Sequence, residues 1–227
     1  MTFRIHALNR SIVLALLVLS LDARAQDASS RLSTQVDSIA AAVLAATGVP
    51  SATVTVVTHG KVAYAKAYGS AKLDPNVPAT ADMQYGIGSI SKQFTAACIL
   101  LLQQEGKLKL DDAVSKYVPG LTRGNEVTIR QILSHTSGYQ DFWPQDYVPP
   151  EMAKPITPRA ILDHWAKQPL DFEPGTQWQY SNTNFEIAAL IVEKASGKPF
   201  FQFVRARILD PLGITSAVDF DAKGPTS

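Results

Sequence analysis

The sequence predicts a mixed α/β (α+β) fold in which an antiparallel β-hairpin is followed by many helices. Two β-rich runs, Ser51 to Val57 and Lys61 to Tyr68, are joined through His59-Gly60, a pair of residues that favours a tight hairpin turn. Beyond them, apolar residues recur at helical spacing in several segments. Hydrophobic residues make up 46% and charged residues 18% of the 227 residues, which indicates a packed core rather than a disordered chain.

The predicted helices begin before the hairpin and continue after it. Apolar residues recur at helical spacing from Leu32, and Gly48-Val49-Pro50 ends that pattern. A strong helix is predicted from Ser89 to Glu105, with an apolar stripe on one face and Gly106 at its end. We therefore divide the chain into an N-terminal hairpin (51–69) and a helical subdomain (about 89–210). Its further helices are predicted near Val127–Leu133, Thr157–Gln168, Asn184–Ser196 and Phe200–Leu209.

One face of the second β run consists of small residues. Ala63, Ala65 and Ala67 alternate along the run and so lie on one face of the predicted strand. A face of small residues lets a helix approach a sheet closely.

The first 25 residues have the features of a cleaved secretory signal. Two arginines precede an apolar run from Ile12 to Leu19, and Ala23-Arg24-Ala25 has the small-x-small form of a signal-peptidase site. The apolar run is far shorter than the ~18 residues that a membrane-spanning helix needs. An uncleaved N-terminal anchor is the alternative. We predict a signal peptide over 1–25 and a periplasmic or secreted protein over 26–227.

Charge, cysteine and histidine content exclude several classes of protein. The 21 basic and 20 acidic residues give a net charge of +1, which offers no basic surface for nucleic acid or acidic lipid. We therefore expect no nucleic-acid partner and no stable membrane insertion after signal cleavage. The single cysteine, Cys98, lies on an apolar helix stripe and is predicted to be a buried, unreactive thiol. His59 and His164 have no second ligand at metal spacing, and no metal or organic cofactor is implied.

A serine and a lysine three residues apart stand at the start of the strong helix. Residues at this spacing share a helix face, so the amine of Lys92 is expected beside the hydroxyl of Ser89. An amine removed from water gives up its proton more readily and then accepts the proton of a neighbouring hydroxyl. The backbone N–H of Ser89 would point toward a developing oxyanion. The pair therefore predicts a nucleophile and its base.

The alternative is that Ser89 is an ordinary helix N-cap. A favourable cap would be followed by glutamate or glutamine at the third helical position, whereas Lys92 opposes the helix dipole. An unfavourable local charge is typical of functional sites. A serine-lysine pair at this spacing nevertheless occurs about once by chance in a chain of this size, so the pair alone does not decide between the two interpretations.

Three ordered blocks of sequence accompany the pair. In their order they resemble the serine β-lactamase-related family, which comprises class C β-lactamases, D-alanyl-D-alanine carboxypeptidases and related esterases, from about Val36 to Ala217. The blocks read Y-G-I-G-S-I-S-K-Q-F-T (85–95) with E-G-K-L-K-L-D-D (105–112) and Y-V-P (117–119), then I-R-Q-I-L-S-H-T-S-G (129–138), and last F-E-P-G-T (172–176), Y-S-N (180–182) and P-L-G (211–213).

The resemblance implies a β-lactamase/transpeptidase-like fold and assigns roles to four residues. Ser89 is the nucleophile that becomes acylated, and Lys92 is its partner base. Tyr180 and Asn182 match the family motif Y-x-N. Tyr180 would relay protons to and from Ser89 and the leaving group, because a phenol beside an ammonium ionises more readily. Asn182 would hold a substrate amide and position the lysine.

His135 suggests a Ser-His-Asp triad, but the sequence has no G-x-S-x-G nucleophile elbow. In the family the Ser-His-Thr-Ser-Gly block is structural. We therefore expect His135 to make hydrogen bonds that hold the loop below the pocket.

The third family motif, K-T-G or H-x-G on a sheet strand, is not found after Asn182. In the family this strand lines the pocket and supplies the second oxyanion N–H, and the loss of one such donor typically lowers turnover by ~10²–10³. A two-stranded hairpin is also marginal in water and exposes an edge. We therefore expect that the C-terminal sheet strands are missing, that the chain is a fragment of a longer hydrolase, and that the 227 residues alone have little or no activity.

The resemblance implies an exported serine hydrolase that transfers acyl groups from amide, lactam or ester bonds of a small molecule or peptide. The alternative is a non-catalytic envelope protein that keeps the penicillin-recognising fold for binding or scaffolding. The long aperiodic segment Thr136 to Pro155 is predicted to form part of the site or a lid. Its aromatic residues fit either selection of apolar acyl groups or packing on one another; they are Tyr139, Phe142, Trp143 and Tyr147.

Overall fold

A computed structural model describes residues 30–143, 154 and 156–219 and divides the chain into two compact units. The first unit ends at Tyr85 and the second begins at Gly86. The predicted signal peptide and most of the segment 144–155 lie outside the described residues. Among the residues that are described, no helix has the length and apolar composition required to cross a membrane.

The first unit consists of one helix and a three-stranded antiparallel sheet. Helix α1 (30–47) is followed by strands β1 (Ser51–Thr58), β2 (Lys61–Leu73) and β3 (Asn76–Pro78), in the order β1-β2-β3. The predicted hairpin is confirmed, with Thr58 paired to Lys61. Both turn residues, His59 and Gly60, have positive φ angles of 50° and 73°, as a type I′ turn requires. The third strand was not predicted, because three residues are too few for an alternating pattern to be recognised.

Helix α1 contacts the face of β2 that lies opposite the alanines. Asp37 of α1 accepts hydrogen bonds from the Tyr64 and Tyr68 hydroxyls at 2.7 Å each and from Lys66 Nζ at 2.8 Å. The hydrogen bond from Lys66 and those from the two phenols lower the pKa of Asp37 to about 2. Ala63 and Ala65, which alternate with these residues, are exposed. The polar side chains on the other face of β2 therefore make the contacts with α1.

The second unit is helical, and the predicted helices after the hairpin are confirmed. The helices are α2 (Ser91–Gln104), α3 (Ile129–Leu133), α4 (Pro158–Ile161), α5 (Thr183–Ser196) and α6 (Phe200–Val204). Two of them, α4 and α6, widen at their C-terminal ends into π-helical turns, Leu162–Ala166 and Arg205–Leu209.

The core of this unit lies where α2 packs against α5. Cys98 and Leu102 of α2 and Ile187 and Ile191 of α5 have no exposed surface. Burial raises the pKa of the Cys98 thiol to about 11, so the thiol stays protonated at neutral pH. The prediction of a buried core cysteine is confirmed, and the same packing fixes the N-terminal turns of the two helices side by side.

The start of α2 differs from the prediction in a way that affects the site. Residues Gly88–Ile90 form a 3-10 turn and the α-helix begins only at Ser91. Gly88 has a φ of 50°, in the left-handed region that glycine tolerates. Ser89 therefore lies in this tighter turn just before α2, and its side chain is exposed.

A glycine after α3 allows two loops of this unit to approach each other. Gly138 has a φ of 84°, and a Cβ atom there would lie 2.3 Å from the carbonyl oxygen of Phe172. We expect Gly138→Ala to lower the free energy of unfolding by about 2 kcal/mol or more, because left-handed strain costs ~1–2 kcal/mol and overpacking costs ~1–3 kcal/mol. Urea unfolding monitored by circular dichroism measures this loss.

Gly120→Ala is the matched control for this prediction. Gly120 has a φ of 85°, but among the described residues no atom beyond its immediate chain neighbours lies within 4 Å of the position of its Cβ. The free energy of unfolding of Gly120→Ala should fall only by the cost of left-handed strain, about 1–2 kcal/mol. An equal loss in the two variants would contradict a steric role for the close approach at Gly138.

Candidate active site

Ser89 lies at the centre of a cluster of hydrogen-bonding side chains. Its Oγ is 2.6 Å from the Tyr180 hydroxyl and accepts a hydrogen bond from Lys92 Nζ at 3.1 Å. Lys92 Nζ also donates to Asn182 Oδ1 at 2.7 Å. A hydroxyl, an amine and a phenol are therefore within hydrogen-bonding distance in one cluster, which is the arrangement needed to activate a serine nucleophile.

The packing of two helices brings these residues together from distant parts of the sequence. Ser89 and Lys92 stand at the N-terminal end of α2, while Tyr180 and Asn182 immediately precede α5. Because α2 and α5 pack against each other, their N-terminal ends present the four side chains to one another. The sequence interpretation named all four, and the structure places them in mutual contact.

Asp141 fixes the orientation of the Asn182 side chain. Its Oδ1 accepts hydrogen bonds from the backbone N–H of Asn182 at 2.8 Å and from Asn182 Nδ2 at 3.1 Å. With its amide nitrogen committed to Asp141, Asn182 turns its carbonyl oxygen toward Lys92 Nζ. Asp141 was not singled out in the sequence, because a carboxylate in a polar loop carries no local signal of its partner.

Aromatic rings surround the amine of Lys92. Its Nζ lies 5.0 Å from the ring centre of Tyr180 and 5.6 Å from that of Phe185. Both distances fall within the range at which a ring face attracts a cation. Phe185, in the first turn of α5, is a second site neighbour that the sequence interpretation did not identify.

His135 supports the segment that carries Tyr180, as expected, and makes no triad-like contact. Its Nδ1 accepts a hydrogen bond from the backbone N–H of Ser181 at 3.1 Å, and its ring stacks on Tyr180 with the centres 4.6 Å apart. The nitrogen that a triad would direct at an acid instead holds a backbone amide. The expectation of a hydrogen-bonding role is confirmed.

The described part of the predicted lid segment is packed more tightly than a free lid would be. Tyr139 is only 1% exposed and belongs to the core, and Phe142 is half-buried. Trp143 is 39% exposed, and Tyr147 lies outside the described residues. Within residues 30–143, 154 and 156–219, no three His, Cys, Asp or Glu side chains are grouped so that they could hold a metal ion.

Comparison with protein families assigns the chain to a known family. The model of the Beta-lactamase family matches residues 36–218 of the chain. The chain belongs to the beta-lactamase family. The match begins in α1 and includes both helices that carry the site. It agrees with the resemblance that the ordered sequence blocks indicate.

Penicillin-binding protein 4* of Bacillus subtilis is one relative of the chain. The two are 34% identical over 164 residues, which cover 71% of this chain and 36% of the relative. The chain therefore spans little more than a third of the length of that relative.

Two solved structures share the fold. A D-stereospecific amidohydrolase from Streptomyces sp. is 34% identical, with a TM-score of 0.65 over 75% of this chain and 52% of the other. A class C beta-lactamase in complex with cefoxitin is 28% identical, with a TM-score of 0.69 over 83% of this chain and 51% of the other. The predicted β-lactamase/transpeptidase-like fold is confirmed.

Proposed function

We propose that this protein is an exported serine hydrolase that acts by acyl transfer on amide, lactam or ester bonds. One observation carries the proposal: Ser89 Oγ lies within hydrogen-bonding distance of both Lys92 Nζ and the Tyr180 hydroxyl. Ser89 is also exposed, so a substrate carbonyl can reach it. Nucleophile, base and proton relay are all supplied by this chain.

In the first step, Ser89 Oγ attacks the substrate carbonyl carbon and forms a new C–O bond. The hydroxyl proton passes to the Lys92–Tyr180 pair, whose phenol oxygen is 2.6 Å from Ser89 Oγ. When the tetrahedral intermediate collapses, the bond to the leaving group breaks and Tyr180 delivers that proton to it. The products are an acyl-enzyme on Ser89 and the free amine or alcohol.

In the second step, water attacks the acyl carbon of the intermediate. The Lys92–Tyr180 pair removes a proton from the water and returns one to Ser89 Oγ as the ester bond breaks. Asn182, held by Asp141, keeps Lys92 in place and offers its amide to the substrate. The carboxylic acid leaves, and the starting state is restored.

The relatives support the range of substrates without selecting one. Their names include a penicillin-binding protein, a D-stereospecific amidohydrolase and a class C beta-lactamase. Amides and lactams are both represented, and we keep both in the proposal together with esters, as small molecules or peptides. The signal-like composition of residues 1–25 supports export.

We also propose that the 227 residues alone turn over substrate slowly. The sequence has neither K-T-G nor H-x-G after Asn182, so it lacks the motif that would supply a second oxyanion donor. The loss of such a donor costs ~10²–10³ in turnover. Acylation is therefore a better assay than turnover, since it needs only one event for each molecule.

Covalent labelling tests the proposed chemistry. Purified mature protein is incubated with a fluorescent penicillin and, separately, with a fluorescent fluorophosphonate, and labelled bands are followed over hours. Labelling by either probe, prevented by prior denaturation, is the expected result. A folded protein that neither probe labels would support the alternative of a non-catalytic envelope protein used for binding or scaffolding.

We expect Tyr180→Phe to slow acylation by about 10²–10³, because general acid–base catalysis is typically worth ~10²–10⁴. The variant keeps the ring that stacks on His135 and loses only the hydroxyl next to Ser89 Oγ. Tyr117→Phe is the matched control, since its hydroxyl donates to Asp112 instead. Equal acylation rates in wild type and Tyr180→Phe would contradict the relay role.

A further inference from the structure

His135 contacts the strand-like segment around Tyr180 at three points. Its carbonyl oxygen accepts a hydrogen bond from the Gln179 N–H at 3.0 Å, and its Nδ1 accepts one from the Ser181 N–H at 3.1 Å. Its ring stacks on the ring of Tyr180 itself, at 4.6 Å and an interplanar angle of 30°. The residues on both sides of Tyr180, as well as its side chain, are therefore held by one histidine.

These contacts require a specific protonation state. A ring nitrogen that accepts a hydrogen bond carries no proton, so Nδ1 is unprotonated and the neutral ring carries its proton on Nε2. Protonation of Nδ1 would place one N–H against another and remove the bond to Ser181. It would also add a positive charge to the ring stacked on Tyr180.

The backbone at His135 is specialised as well. Its φ is 59°, in the left-handed region where non-glycine residues are uncommon and where asparagine and histidine are enriched. This conformation directs the carbonyl and the ring of one residue to the same neighbouring segment. Asparagine is therefore a replacement that tolerates the backbone and still offers an acceptor near the position of Nδ1.

We propose that His135 is a positioning residue for Tyr180 and that it acts only as the neutral imidazole, so that acylation of Ser89 slows when His135 is protonated. The proposal rests on the proposed function, since the acylation of Ser89 is the step that Tyr180 serves. His135 itself touches no reacting atom and acts through the placement of the phenol.

The charged groups around His135 favour the neutral ring. Burial lowers the pKa of His135 below its ordinary value of 6.5, the positive charge of Lys92 in α2 lowers it further, and the carboxylate of Asp141 opposes both. Tyr180 is a further ionisable group in contact with the ring. Because the folded-state pKa is depressed, the neutral ring stabilises the fold above pH 6.5, and this contribution is lost as the pH falls through the folded-state value.

Two variants distinguish the effect of the hydrogen bond to the Ser181 N–H from the effect of protonating the His135 ring. His135→Asn keeps an acceptor for the Ser181 N–H and cannot be protonated, whereas His135→Phe keeps a stacking ring and has no acceptor. Acylation rates with fluorescent penicillin are measured for each from about pH 4.5 to about pH 8, the range in which histidine titrates. Circular dichroism at each pH reports whether the protein stays folded.

The acylation rate of the wild type should fall as the pH decreases below 6.5, which gives the pH profile an acid limb. His135→Asn should lose that limb and, because it lacks the stacking ring, should be slower than the wild type at neutral pH but faster than His135→Phe. His135→Phe should be slower at every pH by roughly tenfold to a hundredfold, because a misplacement of about 1 Å can cost ~10²-fold. An unchanged acid limb in His135→Asn, or a wild-type rate in His135→Phe, would overturn the proposal.

A second measurement is independent of activity. Nitrogen-15 NMR of the His135 ring should show a proton on Nε2 and none on Nδ1 at neutral pH, and the Ser181 amide resonance should shift as the ring is protonated. A proton on Nδ1 at neutral pH would overturn the inference even in a protein that acylates. Wild-type protein that no probe labels at any pH, with the expected NMR result, would instead contradict the proposed function alone.

Discussion

Ser89→Ala should abolish covalent labelling by both the fluorescent penicillin and the fluorophosphonate. The variant removes the oxygen that we propose forms the bond to the acyl group, while Lys92, Tyr180 and Asn182 stay in place. The remaining groups can transfer protons but cannot hold an acyl intermediate. The labelling of Ser89→Ala should therefore be as low as that of the heat-denatured protein, rather than only slower than that of the wild type.

Ser91→Ala is the matched control for this prediction. Ser91 lies two residues from Ser89 and is also exposed, but its Oγ donates to the Gly88 carbonyl at 2.7 Å. This control should be labelled at close to the wild-type rate, since the loss of one exposed backbone contact leaves the cluster intact. Persistent labelling of Ser89→Ala would place the nucleophile elsewhere and contradict the assignment.

Lys92→Ala should lower the acylation rate by about 10³–10⁴, because it removes the base and leaves Asn182 without its partner. Lys92→Arg should lose nearly as much. Arginine keeps the positive charge but cannot be deprotonated in a protein, so it cannot accept the serine proton. The comparison distinguishes proton transfer from simple attraction by a cation.

Lys167→Ala is a suitable control for the loss of a lysine, since Lys167 forms an exposed ion pair with Asp163 in the same unit. Such surface pairs contribute ~0–1 kcal/mol, so neither acylation nor stability should change much. Urea unfolding of all three variants shows whether they remain folded. A rate for Lys92→Arg near that of the wild type would contradict a role for Lys92 as a base.

The fold was predictable wherever a local pattern was long enough. The helices α2 and α5 carry apolar residues at helical spacing, and the hairpin turn has residues that accept positive φ. The short strand β3 and the tight turn around Ser89 were missed, since neither extends over enough residues to show a period. The face of β2 that contacts α1 could not be predicted, because the hydrogen bonds of Asp37 to Lys66 and Tyr68 join residues about 30 positions apart in the chain.

The candidate site was predictable from local rules only where its residues are close in the sequence. Ser89 and Lys92 are three residues apart, and their proximity follows from helix geometry alone. Tyr180 and Asn182 were identified only through the family resemblance, because no local rule connects them to α2. Asp141 is 41 residues from Asn182 along the chain, and only the packing of the folded unit brings the two together.

Peptide mapping by mass spectrometry after incubation with benzylpenicillin identifies the residue that becomes acylated. We expect the protein to gain the mass of one intact penicillin, because the lactam opens without losing an atom, and we expect this mass on the peptide that contains Ser89. Prior acylation should also block labelling by the fluorophosphonate. An adduct on any other residue, with the Ser89 peptide unmodified, would contradict the claim that Ser89 is the nucleophile.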